Sequence, residues 1–119
     1  MFENDYWMRQ IEDITKALGN MLFEKQSGTV ELFNEQGVLS ETSFLSYRLN
    51  RMIGDGQINE AENLLFETIE EDPKTGYLKV ALDFYATLEK RSDAELTAAG
   101  FSRQEILDGL QSVQKIYQG

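Results

Sequence analysis

The side chains that carry out most protein chemistry are missing from this sequence, apart from carboxylates. The chain has 21 Asp and Glu residues but no histidine and no cysteine. Histidine is the commonest general base and metal ligand, and cysteine supplies thiolate ligands and nucleophiles. The serines have no histidine to activate them and form no Gly-x-Ser-x-Gly turn. The sequence therefore predicts a protein that is not an enzyme and that has no catalytic residues, cofactor or metal ligands.

Paired carboxylates are the one route to catalysis that this composition leaves open. A two-carboxylate hydrolase needs one acid that is removed from water and a second that stays ionised. No carboxylate lies within an apolar stripe; Asp83 and Asp108 only lie beside the stripes. A carboxylate-based enzyme is therefore the least favoured function, and it predicts a deep pocket that strongly raises the pKa of an acid.

One spacing of carboxylates is similar to half of a calcium loop. With Arg51 as position 1 of an EF-hand, Gly56 falls at position 6 and Glu62 at position 12, as that loop requires. Arg51 and Ile53, however, stand at positions 1 and 3, where the loop needs oxygen ligands. We interpret the segment as a turn between two helices.

Glu70, Glu71 and Asp72 form an acidic cluster directly before Pro73. The pattern places them at a helix C-terminus, where the helix dipole disfavours negative charge. The cluster indicates either a site for a basic partner or a cation, or a solvated helix end. The solvated end is the simpler interpretation.

The net charge of −10 limits the classes of partner. A chain with this negative charge repels the phosphate backbones of nucleic acids. It has no polybasic segment that would bind anionic lipids. It also lacks the ~20-residue apolar run that spans a bilayer. Its first five residues include two acids and no base, unlike the start of a signal peptide. We therefore expect a cytoplasmic protein that binds neither nucleic acid nor membranes.

Apolar residues recur at intervals of three and four along most of the chain, which predicts helices. The first helix follows Asn4, its predicted N-cap. The second helix begins near Ser40. Phe44 is predicted to lie on the apolar face of this second helix and to form a hydrophobic staple with Leu39. The third begins at Asn59 after a Gly54–Gly56 breaker. The remaining helices are predicted from about 74 to 91, after the Ser92–Glu95 capping box, and after a second capping box at 102–105.

The fold class is all-α, with five or six helices in antiparallel hairpins and a single domain over 1–119. Residues 24–40 are weakly patterned.

Residues 44–73 resemble a tetratricopeptide repeat, a helix–turn–helix unit of 34 residues. The matching positions are the inter-helix glycine, the small residue of the second helix and the closing proline, here Gly56, Ala61 and Pro73. Leu49 and Thr68 replace small residues of the repeat, which implies looser or shifted packing. The resemblance implies a helical hairpin at about 41–73.

That family binds other proteins on its concave face, so the resemblance also implies a partner-binding surface. Transferring the concave-face positions to this chain gives Ser43, Ser46, Asn50, Tyr77 and Phe84.

Three segments extend the comparison to the whole chain. They are the Met-Phe-Glu-x-Asp-Tyr-x-Met-Arg-x-Ile start, Asp-Gly-x-Ile-x-Glu-Ala-Glu at 55–62, and Gly-Phe-Ser-x-x-Glu-Ile at 100–106. With them the chain resembles a small family of acidic bacterial helical proteins that have no assigned activity. This resemblance supports the fold and implies no function.

The first helix carries more apolar surface than one stripe needs. Its additional aromatic and methionine residues are typical of a homodimer or partner interface, and include Phe2, Tyr6, Trp7, Met8 and Met21. Alternatively, the helix uses all of them to cover the core of its own monomer.

The leading hypothesis for function is a protein-interaction module that binds another protein, and a homodimer is the open alternative for its assembly. The first alternative is an acidic inhibitor or immunity-type protein that neutralises a basic target through charge complementarity. The carboxylate-based enzyme is the second alternative.

Overall fold

The computed structural model describes residues 2–26 and 41–118, and these residues form six helices and no strand. The helices are α1 (Phe2–Gln26), α2 (Glu41–Gly54), α3 (Ile58–Glu71), α4 (Thr75–Glu89), α5 (Asp93–Ala98) and α6 (Arg103–Gln118). The predicted all-α fold is confirmed. Leu39, the proposed staple partner of Phe44, and the weakly patterned residues 27–40 lie outside the described residues.

Helix α4 is the centre of the packing. It contacts α1, α2, α3 and α6, and it belongs to two trios of mutually contacting helices. One trio is α1, α4 and α6, and the other is α2, α3 and α4. Seven of its residues are buried, which removes most of its apolar surface from water: Tyr77, Leu78, Val80, Ala81, Phe84, Tyr85 and Leu88.

Local hydrogen bonds set the helix boundaries. After α2, Asp55 N donates to Arg51 O at 3.1 Å and Gln57 N donates to Met52 O at 2.9 Å, while Gly56 takes a φ of 81°. Glycine adopts this left-handed conformation without a Cβ clash, so the predicted breaker ends α2 and starts a helical hairpin. The predicted capping box at the start of α5 is also present, because Ser92 and Glu95 accept each other's backbone N–H.

Three predicted details are wrong. Helix α1 begins at Phe2, so Asn4 lies inside it and is not the N-cap. Helix α3 begins at Ile58 rather than Asn59. Phe44 is 59% exposed, because the buried stripe of α2 runs through Leu45, Leu49 and Ile53, and Phe44 lies about 100° around the helix from Leu45.

Candidate interaction surface

Helix α2 lies between two grooves and presents an aromatic crest to solvent. Leu45 and Leu49 are buried, and Tyr47, two positions from each, falls on the opposite side of the helix. Tyr47 is 64% exposed. Together with Phe44 it forms the α2 crest, an aromatic surface that is exposed among residues 2–26 and 41–118.

The first groove, here called the α2–α3 groove, has a volume of about 610 Å³. Its lining mixes apolar and charged side chains: Glu41, Phe44, Leu45, Arg48, Leu64, Thr68, Glu71, Asp72, Lys74 and Tyr77. The groove therefore combines apolar contact surface with charged groups of both signs.

A hydrogen-bonded cluster closes one end of the α2–α3 groove. Lys74 Nζ lies 2.7 Å from Glu41 Oε2 and 3.7 Å from Asp72 Oδ2. The Lys74 ammonium holds the pKa of Glu41 below its usual value, through a hydrogen bond and through its charge. Tyr117 OH donates to the backbone carbonyl of Lys74 at 2.7 Å, which ties this end to α6.

Gly76 allows α2 and α4 to approach closely beside this cluster. A Cβ atom at Gly76 would lie 2.6 Å from Thr42 Cγ2. The closeness of the two helices at this point therefore depends on the missing side chain.

The second groove, the α2–α4 groove, has a volume of about 290 Å³. It brings together three of the residues predicted to bind a partner: Ser46 and Asn50 from α2, and Phe84 from α4. Its other lining residues are Leu49, Val80, Asp83, Ala86, Thr87 and Lys90.

The other two predicted partner-binding residues lie elsewhere. Ser43 is exposed on α2, and Tyr77 lines the α2–α3 groove. Tyr77 and Phe84 are buried, with only 6% and 2% of their surface exposed. Their rings form walls of the grooves, so exposed neighbours on α2 are the better positions for testing partner binding.

The predicted dimer surface on α1 is divided between the core and solvent. Trp7 and Met21 pack partly buried against the core, whereas Tyr6 and Met8 are exposed. Tyr6 and Met8 lie about 200° apart around the helix, so they flank Trp7 on opposite sides and form no single patch. The side chain of Phe2 lies outside the described residues.

The structure half-buries one carboxylate, Glu62, which the sequence analysis considered only as position 12 of the calcium-loop spacing. Tyr85 OH donates to Glu62 Oε2 at 2.6 Å. Burial raises the pKa of Glu62, the hydrogen bond from Tyr85 opposes this, and the charges of Glu105 and Asp108 add to the rise. The signal in the sequence is that Glu62 stands four residues after buried Ile58 and three before buried Leu65.

We predict that Glu62→Gln stabilises the protein at about pH 7 and that this gain disappears as the pH falls. The native carboxyl has a pKa above the ordinary 4.5, so the native state holds the proton more tightly than the unfolded state. Stability is then lost as pH rises from the unfolded pKa through the native pKa. Urea unfolding between about pH 4 and pH 7 measures the difference. Glu67→Gln, at an exposed position of α3, is the control. A gain that is the same at every pH would contradict the prediction.

The described residues hold no group of three or more carboxylates close enough to bind a metal ion. Glu62, position 12 of the calcium-loop spacing, is instead hydrogen-bonded to Tyr85. In residues 2–26 and 41–118, none of the helices has the length and apolar character to cross a membrane.

The described helices define a small all-α protein in which two grooves and an exposed aromatic crest surround α2. The chain belongs to a family of unknown function, DUF6483, whose profile matches residues 1–118. Membership in a family without an assigned activity is thus confirmed. Comparison with curated proteins and with solved structures gave no match.

Proposed function

We propose that the protein is a non-enzymatic interaction module that binds another protein through α2 and its two grooves. The observation that carries this proposal is the α2 crest, where Phe44 and Tyr47 are 59% and 64% exposed between the grooves. Aromatic side chains are enriched at protein interfaces and supply much of their binding energy. Large rings that the described residues leave exposed beside two grooves favour docking over a purely structural role.

The helical hairpin supports the same surface. Helices α2 and α3 pack against each other and against α4, as a tetratricopeptide-like pair and the following helix would do. In that arrangement the α2–α4 groove corresponds to the concave face, which half-buried Ser46 and exposed Asn50 line. This part of the proposal rests on analogy of fold. A bacterial cytoplasmic setting is proposed with it, from the family resemblance and the acidic composition.

We predict that Phe44→Ala/Tyr47→Ala weakens partner binding at least about tenfold, since two exposed aromatic anchors are lost. The tagged full-length chain isolates its partner from the native host, and calorimetry then measures the Kd of wild type and variant. Thermal unfolding checks that the variant is folded. An unchanged Kd for a folded variant would contradict the proposal.

A matched control is available on α1. Tyr6 and Phe23 are 56% and 72% exposed, so Tyr6→Ala/Phe23→Ala removes similar aromatic surface from a helix that lines neither groove. We expect this variant to bind the partner as wild type does. If it alone lost binding, α1 would be the interface, and light scattering of the same variants would show whether that interface joins two copies of the chain.

A further inference from the structure

Helix α3 carries a concentrated negative charge beside the α2–α3 groove. Five of its 14 residues are glutamates and none is Lys or Arg. This helix therefore contributes −5 of the net charge of −10, although it contains only 14 of 119 residues. The field of this helix acts on whatever enters the groove that Leu64 and Thr68 line.

Three of these glutamates lie along one line of the helix. Glu60, Glu67 and Glu71 are separated by seven and four residues, so they project from nearly the same side of α3. All three are exposed, and we call them the α3 acidic stripe. The stripe extends along about 16 Å of helix, from an 11-residue separation at roughly 1.5 Å per residue.

The α3 acidic stripe runs beside the apolar wall of the groove. Leu64 lies one helical turn from both Glu60 and Glu67, and it lines the groove together with Glu71. Among the described residues, no Lys or Arg lies within 4.0 Å of a carboxylate of the stripe, whereas Lys74 at the groove's end is already paired with Glu41 and Asp72. The stripe therefore keeps its charge available for a partner.

We propose that the α2–α3 groove binds a basic amphipathic helical segment of a partner protein. Apolar side chains of that segment contact Phe44, Leu45 and Leu64, and its Lys or Arg side chains lie over the α3 acidic stripe. A groove that places apolar side chains beside an acidic stripe matches the helix-in-groove mode of recognition, with Arg48 and Lys74 as the cations of its lining. This inference rests on the proposed interaction function and names the chemistry of the partner.

Charge argues for a different protein rather than a second copy of this chain. A second copy would bring another −10 to the surface, so its approach would be opposed by like-charge repulsion. A basic segment is attracted instead, and this attraction depends strongly on ionic strength.

Three labelled peptides test the proposal by fluorescence anisotropy against the full chain. The first is a Leu/Lys peptide of roughly 14 residues with leucines at helical spacing, the second is the same composition scrambled, and the third has Glu in place of Lys. We expect the first peptide to bind at least about tenfold more tightly than the other two. Raising NaCl from about 0.1 M to about 1 M, which shortens the Debye length from about 10 Å to about 3 Å, should weaken that binding at least about tenfold.

Two matched protein variants locate the binding. Glu60→Gln/Glu67→Gln/Glu71→Gln neutralises the stripe, and Asp5→Asn/Asp13→Asn/Asp108→Asn removes the same charge from exposed positions of α1 and α6. We expect the stripe variant to bind the Leu/Lys peptide about tenfold more weakly and the control within about twofold of wild type. Equal losses in both variants, equal binding of the three peptides, or no binding of the Leu/Lys peptide would overturn the inference.

Failure of this inference can be told apart from failure of the proposed function. Suppose that the natural partner binds the stripe variant normally but no longer binds the Phe44→Ala/Tyr47→Ala variant. The inference of a basic segment is then wrong, while the proposed binding through α2 remains supported. If the natural partner is insensitive to both sets of substitutions, the proposed function itself is wrong.

Discussion

Replacing Gly109 with alanine is expected to destabilise the protein by roughly 2–3 kcal/mol, although alanine is the better helix former. Gly109 lies buried in α6 against the hydroxyl end of Tyr85. A Cβ atom at this position would overlap the hydroxyl oxygen and Cζ of Tyr85 and lie 2.8 Å from its Cε1. The ring is 1% exposed and its hydroxyl is bonded to Glu62, so it has little room to move. The clash therefore outweighs the helix-propensity gain of about 1 kcal/mol.

A second helical glycine provides the control for the contact between Gly109 and Tyr85. Gly19 in α1 has nothing within 4 Å of its would-be Cβ, so Gly19→Ala is expected to stabilise by about 0.5–1 kcal/mol. Urea unfolding of both variants measures the opposite signs. In a Tyr85→Ala background the cost of Gly109→Ala should vanish. Similar effects at Gly19 and Gly109, or an undiminished cost without the Tyr85 ring, would refute the explanation.

The helices could be predicted from the sequence, because each is indicated by apolar residues that recur three or four positions apart. The Ser92–Glu95 capping box and the Gly54–Gly56 breaker are local in the same sense, and both set boundaries where expected. Phe44 shows where local reasoning fails. It stands next to buried Leu45, and only the packing of α2 on α3 and α4 decides which of two adjacent apolar residues faces the core.

The candidate surface depends on contacts between residues far apart in the chain, which is why the sequence suggested only part of it. Ser46, Asn50 and Phe84 were proposed from a family resemblance, and the structure brings them into one groove. The spacing of the α3 acidic stripe is visible in the sequence, but its place beside a groove is not. The contact of Tyr85 with Glu62 likewise joins residues 23 positions apart, and no local pattern specifies it.

Arg103→Ala is expected to destabilise the protein by about 3 kcal/mol, because one guanidinium holds three separate groups. Nε donates to Asp93 Oδ1 at 2.8 Å, and the two terminal nitrogens donate to the backbone carbonyls of Glu89 and Arg91 at 3.1 and 2.8 Å. Glu89 is the last residue of α4 and Arg91 lies just beyond it, so no further helical N–H is available to these carbonyls. The Arg103 side chain is 11% exposed, so water replaces it poorly. In a domain of this size the loss lowers the Tm by roughly 10–15 °C.

Three variants distinguish the hydrogen bonds made by the planar Arg103 guanidinium from the effect of its charge. Arg103→Lys keeps the charge but cannot reach three acceptors at once, so we expect it to recover less than about half of the lost stability. Asp93→Asn removes the ionic partner, which is 59% exposed, and should cost less than about 1 kcal/mol. Arg51→Ala, at an exposed position of α2, should change stability by less than about 0.5 kcal/mol. If Asp93→Asn cost as much as Arg103→Ala, the ion pair rather than the capping of two carbonyls would hold α6 to the end of α4.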